Sequence, residues 1–86
     1  MPEISRFLGI IIRMFWDDHN PPHFHAYFAE YEAEYDIRTL GILKGRLPRR
    51  IHLLVEEWAF DHQEELLRNW ELCRVQLPPD KIEPLE

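Results

Sequence analysis

The chain has 86 residues, 45% of them hydrophobic, with sixteen acidic side chains against ten basic ones and a formal net charge of −6. That length fits one domain and not two, and three Trp, five Phe and three Tyr exclude an intrinsically disordered composition. The acidity counts against a nucleic-acid binder, which ordinarily carries a basic footprint, and a lone cysteine, Cys73, excludes an internal disulfide and a Cys-rich zinc site.

Met1-Pro2-Glu3 shows neither the basic start nor the apolar stretch of a secretory signal. The longest apolar stretch, Phe7 to Ile12, is far short of the roughly 20 residues that span a bilayer. The expectation is a cytoplasmic protein with no membrane contact.

Residues 4–16 are rich in β-branched and aromatic types and read as one strand. Asp17 to Pro22 reads as a turn, since Pro21 and Pro22 lack the amide donors a ladder needs. His23 to Phe28 and Tyr31 to Ile37 each alternate with period two, separated by Ala29-Glu30. A tight hairpin there pairs Phe28 with Tyr31, Ala26 with Ala33 and Phe24 with Tyr35 on an apolar face. On the other face Tyr27 meets Glu32, His25 meets Glu34, and His23 meets Asp36. A slip of one residue would send every side chain to the wrong face, so the segregation supports this register. Ile12, Met14 and Trp16 extend the apolar face, and Arg13 falls on the polar one.

Residues 38–47 form a connector, with room for a short fourth strand at Ile42-Leu43. Pro48 suits a first helical turn. Ile51, Leu54, Val55, Trp58, His62, Leu66, Trp70 and Cys73 then recur at steps of three and four, the stripe of an amphipathic helix. Its place for a kink, if it has one, is Phe60-Asp61. The expected architecture is therefore α+β, a single domain over 1–86. A small antiparallel sheet of three to four strands (about 4–44) packs against one long C-terminal helix (about 48–75). An irregular tail follows (76–86), docking through Ile82 and Leu85.

The densest polar feature is Asp17-Asp18-His19-Asn20-Pro21-Pro22-His23-Phe24-His25, which holds three of the five histidines. His23 and His25, two apart on a strand, share a face, and the register sets Asp36 and Glu34 opposite them. Imidazoles and carboxylates so placed suit a divalent metal such as zinc, manganese or nickel, with His23, His25, Glu34 and Asp36 as ligands. They equally suit proton transfer by His19, His23 and His25. The structural alternative is that opposed His and acid side chains merely stabilise the sheet. His52 with Glu56, and Asp61 with His62, are further imidazole–carboxylate neighbours, read first as solvated or core groups. Lys44, Arg46, Arg49 and Arg50, with Arg13, are the candidate binding residues for a phosphate or an acidic surface. A solvated basic patch is the plain alternative.

Several segments together resemble one bacterial family: Met1-Pro2-x-Ile4-Ser5-Arg6-Phe7, Asp18-His19-Asn20-Pro21-Pro22-His23-Phe24-His25, Leu47-Pro48, Leu54-Val55-Glu56-Glu57-Trp58, and Glu65-Leu66 with Asn69-Trp70. The family is known as domain of unknown function four-one-six-zero. Two positions depart from its pattern, which often has glycine at Ala29 and Glu-Thr-Gly at Arg38-Thr39-Leu40. The resemblance implies a short prokaryotic protein, often encoded beside a second small gene in a toxin–antitoxin-like arrangement. It brings no established activity.

Three functional readings follow from these residues and this resemblance. The first is an interaction component whose partner is a small protein from the neighbouring gene. The second is a His-dependent, ribonuclease-like toxin, with RNA disfavoured by the acidic charge. The third is a divalent-metal-binding domain. A homodimer is compatible with each.

Overall fold

The computed structural model describes residues 2–85; Met1 and Glu86, the two ends of the expected domain, lie outside them. Five strands precede two helices: β1 (Glu3–Phe7), β2 (Ile10–Arg13), β3 (His23–Phe28), β4 (Tyr31–Asp36), β5 (Ile42–Arg46), α1 (Arg49–Asp61) and α2 (Gln63–Arg74). The strands form one antiparallel meander in the order β1-β2-β3-β4-β5.

The α+β class matches the expectation, and the element count corrects it. The run over 4–16 is two strands, because Leu8 and Gly9 both take positive φ (52° and 81°) and reverse the chain. A two-residue turn with both centres left-handed suits the twist of a hairpin. The apolar composition is continuous across Leu8-Gly9, so it hid the turn. The short strand expected at Ile42-Leu43 extends to Arg46. Trp16 does not continue the apolar face: it is 49% exposed, whereas Ile12 and Met14 are fully buried.

The hairpin across Ala29-Glu30 has the register expected, from His23↔Asp36 to Phe28↔Tyr31. Phe24 stacks on Tyr35 at 5.2 Å, and Trp58 of α1 meets Phe24 edge-on at 5.9 Å and Phe7 at 5.4 Å. Each such fully buried large side chain contributes roughly 1.5–3 kcal/mol of transfer free energy. The helices thus cover one face of the sheet and leave the other face to its polar rows.

The single long helix is two. The His62 amide bonds to the Ala59 carbonyl, a tightened turn that breaks the regular ladder, one residue beyond the Phe60-Asp61 position. The Gln63 side chain then donates to the Ile37 and Arg38 carbonyls at 2.8 and 3.2 Å, tying the break to the end of β4. The apolar stripe runs on through the break, burying Leu66, Trp70 and Cys73.

Beyond α2 the chain is irregular and is fastened to the domain. Asn69 donates to the Asp80 carbonyl and accepts from the Asp80 amide (2.9 and 2.8 Å). The Ile82 amide donates to the Ile4 carbonyl, and the Trp58 indole donates to the Glu83 carbonyl. Neither helix is long and apolar enough to cross a membrane.

Candidate metal centre

The uncovered face of the sheet carries two cross-strand rows. One runs Arg6, Ile11, Tyr27, Glu32, Arg46, and the other Arg13, His25, Glu34, Lys44. His23 stands beside His25 on this face, their rings 5.2 Å apart. It is covered by Trp70 of α2, also at 5.2 Å, so that only 1% of it is exposed.

Between β2 and β3 the loop over residues 14–22 doubles back and brings in a group the register could not place. Asp18 Oδ2 lies 3.0 Å from His23 Nε2 and 3.2 Å from His25 Nε2. Its other oxygen accepts from the His19 amide at 3.0 Å. Burial works to raise the Asp18 carboxyl, but the hydrogen bond from His25, the His19 amide and the charge on His23 outweigh it and leave it below the ordinary carboxylate range. Asp18, His23 and His25 together present three metal-ligating atoms within 4.8 Å of one another.

The tautomer of His23 follows from its other nitrogen. Nδ1 lies 2.7 Å from the Pro21 carbonyl. A carbonyl only accepts, so Nδ1 carries the proton. In the neutral ring Nε2 is then a bare lone pair, and it faces Asp18 Oδ2 at 3.0 Å and Glu34 Oε1 at 3.8 Å. Lone pairs do not attract lone pairs. Either a second proton or a cation resolves that contact. A backbone carbonyl on one imidazole nitrogen, with the other aimed at a carboxylate, is the arrangement that orients metal-binding histidines. His25 repeats the theme more loosely: its Nε2 shares the same Asp18 oxygen, and its buried Nδ1 has no hydrogen-bond partner.

Distances agree with this chemistry. Metal–ligand bonds of about 2.1 Å set neighbouring donor atoms roughly 3.0–3.4 Å apart in octahedral or tetrahedral geometry, which brackets the two Asp18–histidine separations, 3.0 and 3.2 Å.

The other expected site residues are distributed as follows. Asp36 is opposite His23 in the ladder, but its Oδ1 accepts from the Arg38 and Thr39 amides and serves the turn after β4. Glu34 flanks the centre without joining the three closest donors. The His19 side chain is 82% exposed, with Nδ1 3.2 Å from Asp18 Oδ1 and its ring 5.5 Å from that of His23. Arg13 lies over the Tyr27 ring at 5.0 Å. Lys44, Arg46, Arg49 and Arg50 are all exposed along β5 and the start of α1; Lys44 ends the row that holds His25 and Glu34, and Arg46 lies over Tyr31. His52 accepts from the Tyr35 hydroxyl at 2.8 Å and faces Glu56 at 3.4 Å, a half-buried bridge between β4 and α1. His62 pairs with Glu65 and not with Asp61.

Sequence reasoning passed over Asp18 as a ligand. The signal available was its place in the Asp-His-x-Pro-Pro-His-x-His run, where the two prolines turn the chain back on itself.

A five-stranded meander capped by two helices, with a two-histidine, one-carboxylate cluster on its uncovered face, defines the class of this protein. The family model described as "Domain of unknown function (DUF4160)" matches residues 9–71, and the chain belongs to that family. No curated protein and no solved structure matches it.

Proposed function

We propose that this protein is a divalent-metal-binding domain with Asp18, His23 and His25 as its ligands. The observation that supports this reading most is the His23 Nδ1–Pro21 contact, which aims a bare Nε2 at the same carboxylate oxygen that His25 reaches. Two nitrogens and one oxygen favour zinc, manganese or nickel over magnesium or calcium. Three protein ligands leave at least one coordination position for water or a ligand, the arrangement of reactive rather than closed structural sites. Glu34 stands beside that position.

The test is thermal unfolding of chelator-treated protein with and without added zinc. At a concentration one hundred times the dissociation constant, binding adds about 2.7 kcal/mol, a rise in Tm on the order of 10 °C for a domain of this size. Asp18→Asn and His25→Ala should abolish the rise. Equal melting with and without zinc, manganese and nickel would leave His23 as a hydrogen-bonded partner of Asp18 and end the metal reading.

A second reading, an interaction component of a two-protein toxin–antitoxin-like module, is favoured by β5. All five of its residues are exposed, and it is an outer strand of the sheet bearing Lys44 and Arg46 on a chain of net charge −6. An unpaired edge is a template for another strand. Failure of the product of the neighbouring gene to co-purify with the protein would remove this reading.

A further inference from the structure

The Arg13 guanidinium stands directly across from His25 in the ladder, and no carboxylate pairs with it. Among the described residues no ion pair includes Arg13, and its Nε is buried with no hydrogen-bond partner. Among the described residues six other basic side chains also make no ion pair, but all six are exposed, whereas Arg13 is half-buried. Burial of an unpaired guanidinium donor costs free energy, a cost that an oxyanion drawn to the guanidinium would offset.

Position narrows what that acceptor is. Arg13 is held by stacking over Tyr27, with Cζ 5.0 Å from the ring centroid. The Tyr27 ring is parallel to His25, 6.3 Å between centroids, and His25 touches Asp18. The guanidinium therefore lies one ring-stack from the three-ligand cluster, on the same uncovered face. The Glu32 carboxylate is the acid on this side. It sits 3.8 Å from His25 Nδ1, 55% exposed, and makes no pair with Arg13.

We infer that Arg13 and the Asp18–His23–His25 centre together bind the phosphoryl group of a phosphate ester. The inference deepens the metal-binding reading and rests on it. Two electropositive points on one face ask for an oxyanion with oxygens to spare. A guanidinium fork is best satisfied by two oxygens, and a metal ion takes a third. A carboxylate has only two oxygens, so one that coordinates the metal leaves less for a two-oxygen contact with the fork. A tetrahedral phosphoryl group has oxygens for both. Arg13 is thus a binding residue that orients the ester against the open coordination position.

The experiment titrates inorganic phosphate into the manganese-loaded full-length protein, following paramagnetic broadening of the phosphate phosphorus signal, with manganese affinity measured separately by calorimetry. Acetate is titrated in a parallel series. The expected result is phosphate bound at least about tenfold more tightly than acetate, and at least about tenfold more weakly by Arg13→Gln, which would still bind manganese as the parent does. Arg74→Gln, on the exposed surface of α2, should behave as the parent. Manganese binding with phosphate affinity unaltered in Arg13→Gln overturns the inference and leaves the metal reading standing. Equal affinity for acetate and phosphate also overturns it. Absence of manganese binding overturns the inference, and absence of zinc and nickel binding as well overturns the metal reading with it.

Discussion

His23 donates its Nδ1 proton to the carbonyl of Pro21, two residues earlier in the chain. That one bond fixes which nitrogen faces Asp18 and Glu34, and so decides what the cluster can hold. Nitrogen NMR on chelator-treated protein should show His23 with a protonated Nδ1 that exchanges slowly, as its 1% exposure implies. Addition of zinc should move the Nε2 resonances of His23 and His25 and leave exposed His19 nearly unmoved. A His23 ring with its proton on Nε2 alone would contradict the geometry.

The hairpin turns give a paired prediction on backbone conformation. Ala29 takes φ 51° and is exposed, a left-handed position that costs a residue with a Cβ about 1–2 kcal/mol. Ala29→Gly should therefore raise stability by up to about 1 kcal/mol, after the extra unfolded-state entropy of glycine. Gly45 is the reverse case. At φ 79° an added Cβ would lie 2.2 Å from the Glu32 carbonyl oxygen, so Gly45→Ala should destabilise by about 2 kcal/mol or more. Urea midpoints for both variants would check this. A stabilising Gly45→Ala would be incompatible with the close approach of Gly45 to the Glu32 backbone.

Asn69 is buried, with 1% exposure, and both ends of its amide are used by Asp80. Asn69→Ala should lose about 1–3 kcal/mol and loosen the tail. Hydrogen exchange at the Ile82 amide, which is bonded to Ile4, should then accelerate relative to that of β3 amides. Unchanged protection at Ile82 would mean that Trp58 and Ile82 hold the tail without Asn69.

Burial, with the charge of Glu56 adding to it, pushes the Tyr35 phenol well above its usual value of 10.0. A raised pKa in the folded state means the contribution to stability is whole below about pH 10 and declines as pH climbs from there toward the folded-state value. Above pH 10 the unfolded chain gives up this proton while the folded chain keeps it. The urea midpoint of the parent should fall more steeply between pH 9.5 and 11 (roughly one unit around the reference value) than that of Tyr35→Phe. At neutral pH the variant should lose about 1 kcal/mol, the value of the bond to His52. Parallel pH slopes would show that another group governs the alkaline limb.

Much of the β3–β4 hairpin was legible because its two faces are chemically distinct, so only one register satisfies both. The Leu8-Gly9 reversal was not, because apolar residues flank it on both sides and periodicity carries no mark of a turn. The resemblance offered a hint about backbone at two places: the positions where family members often carry glycine, Ala29 and Leu40, both have positive φ here. For the centre, strand spacing located His23 and His25 but overrated Asp36. Ladder pairing places Cα atoms opposite one another, whereas a short carboxylate goes to the nearest free amides, here those of Arg38 and Thr39. Asp18 arrives through a loop, whose path depends on individual peptide conformations and not on any repeat.

The two rims of the sheet differ, and that difference bears on how copies of the chain can assemble. At β1 the tail lies against the rim through the Ile82–Ile4 bond, whereas β5 is exposed along its length. Strand-to-strand growth needs a donor rim and an acceptor rim on every copy. With the tail bonded to β1 at Ile4, β5 is the more open rim for another strand, and two β5 strands paired with each other would close a symmetric couple.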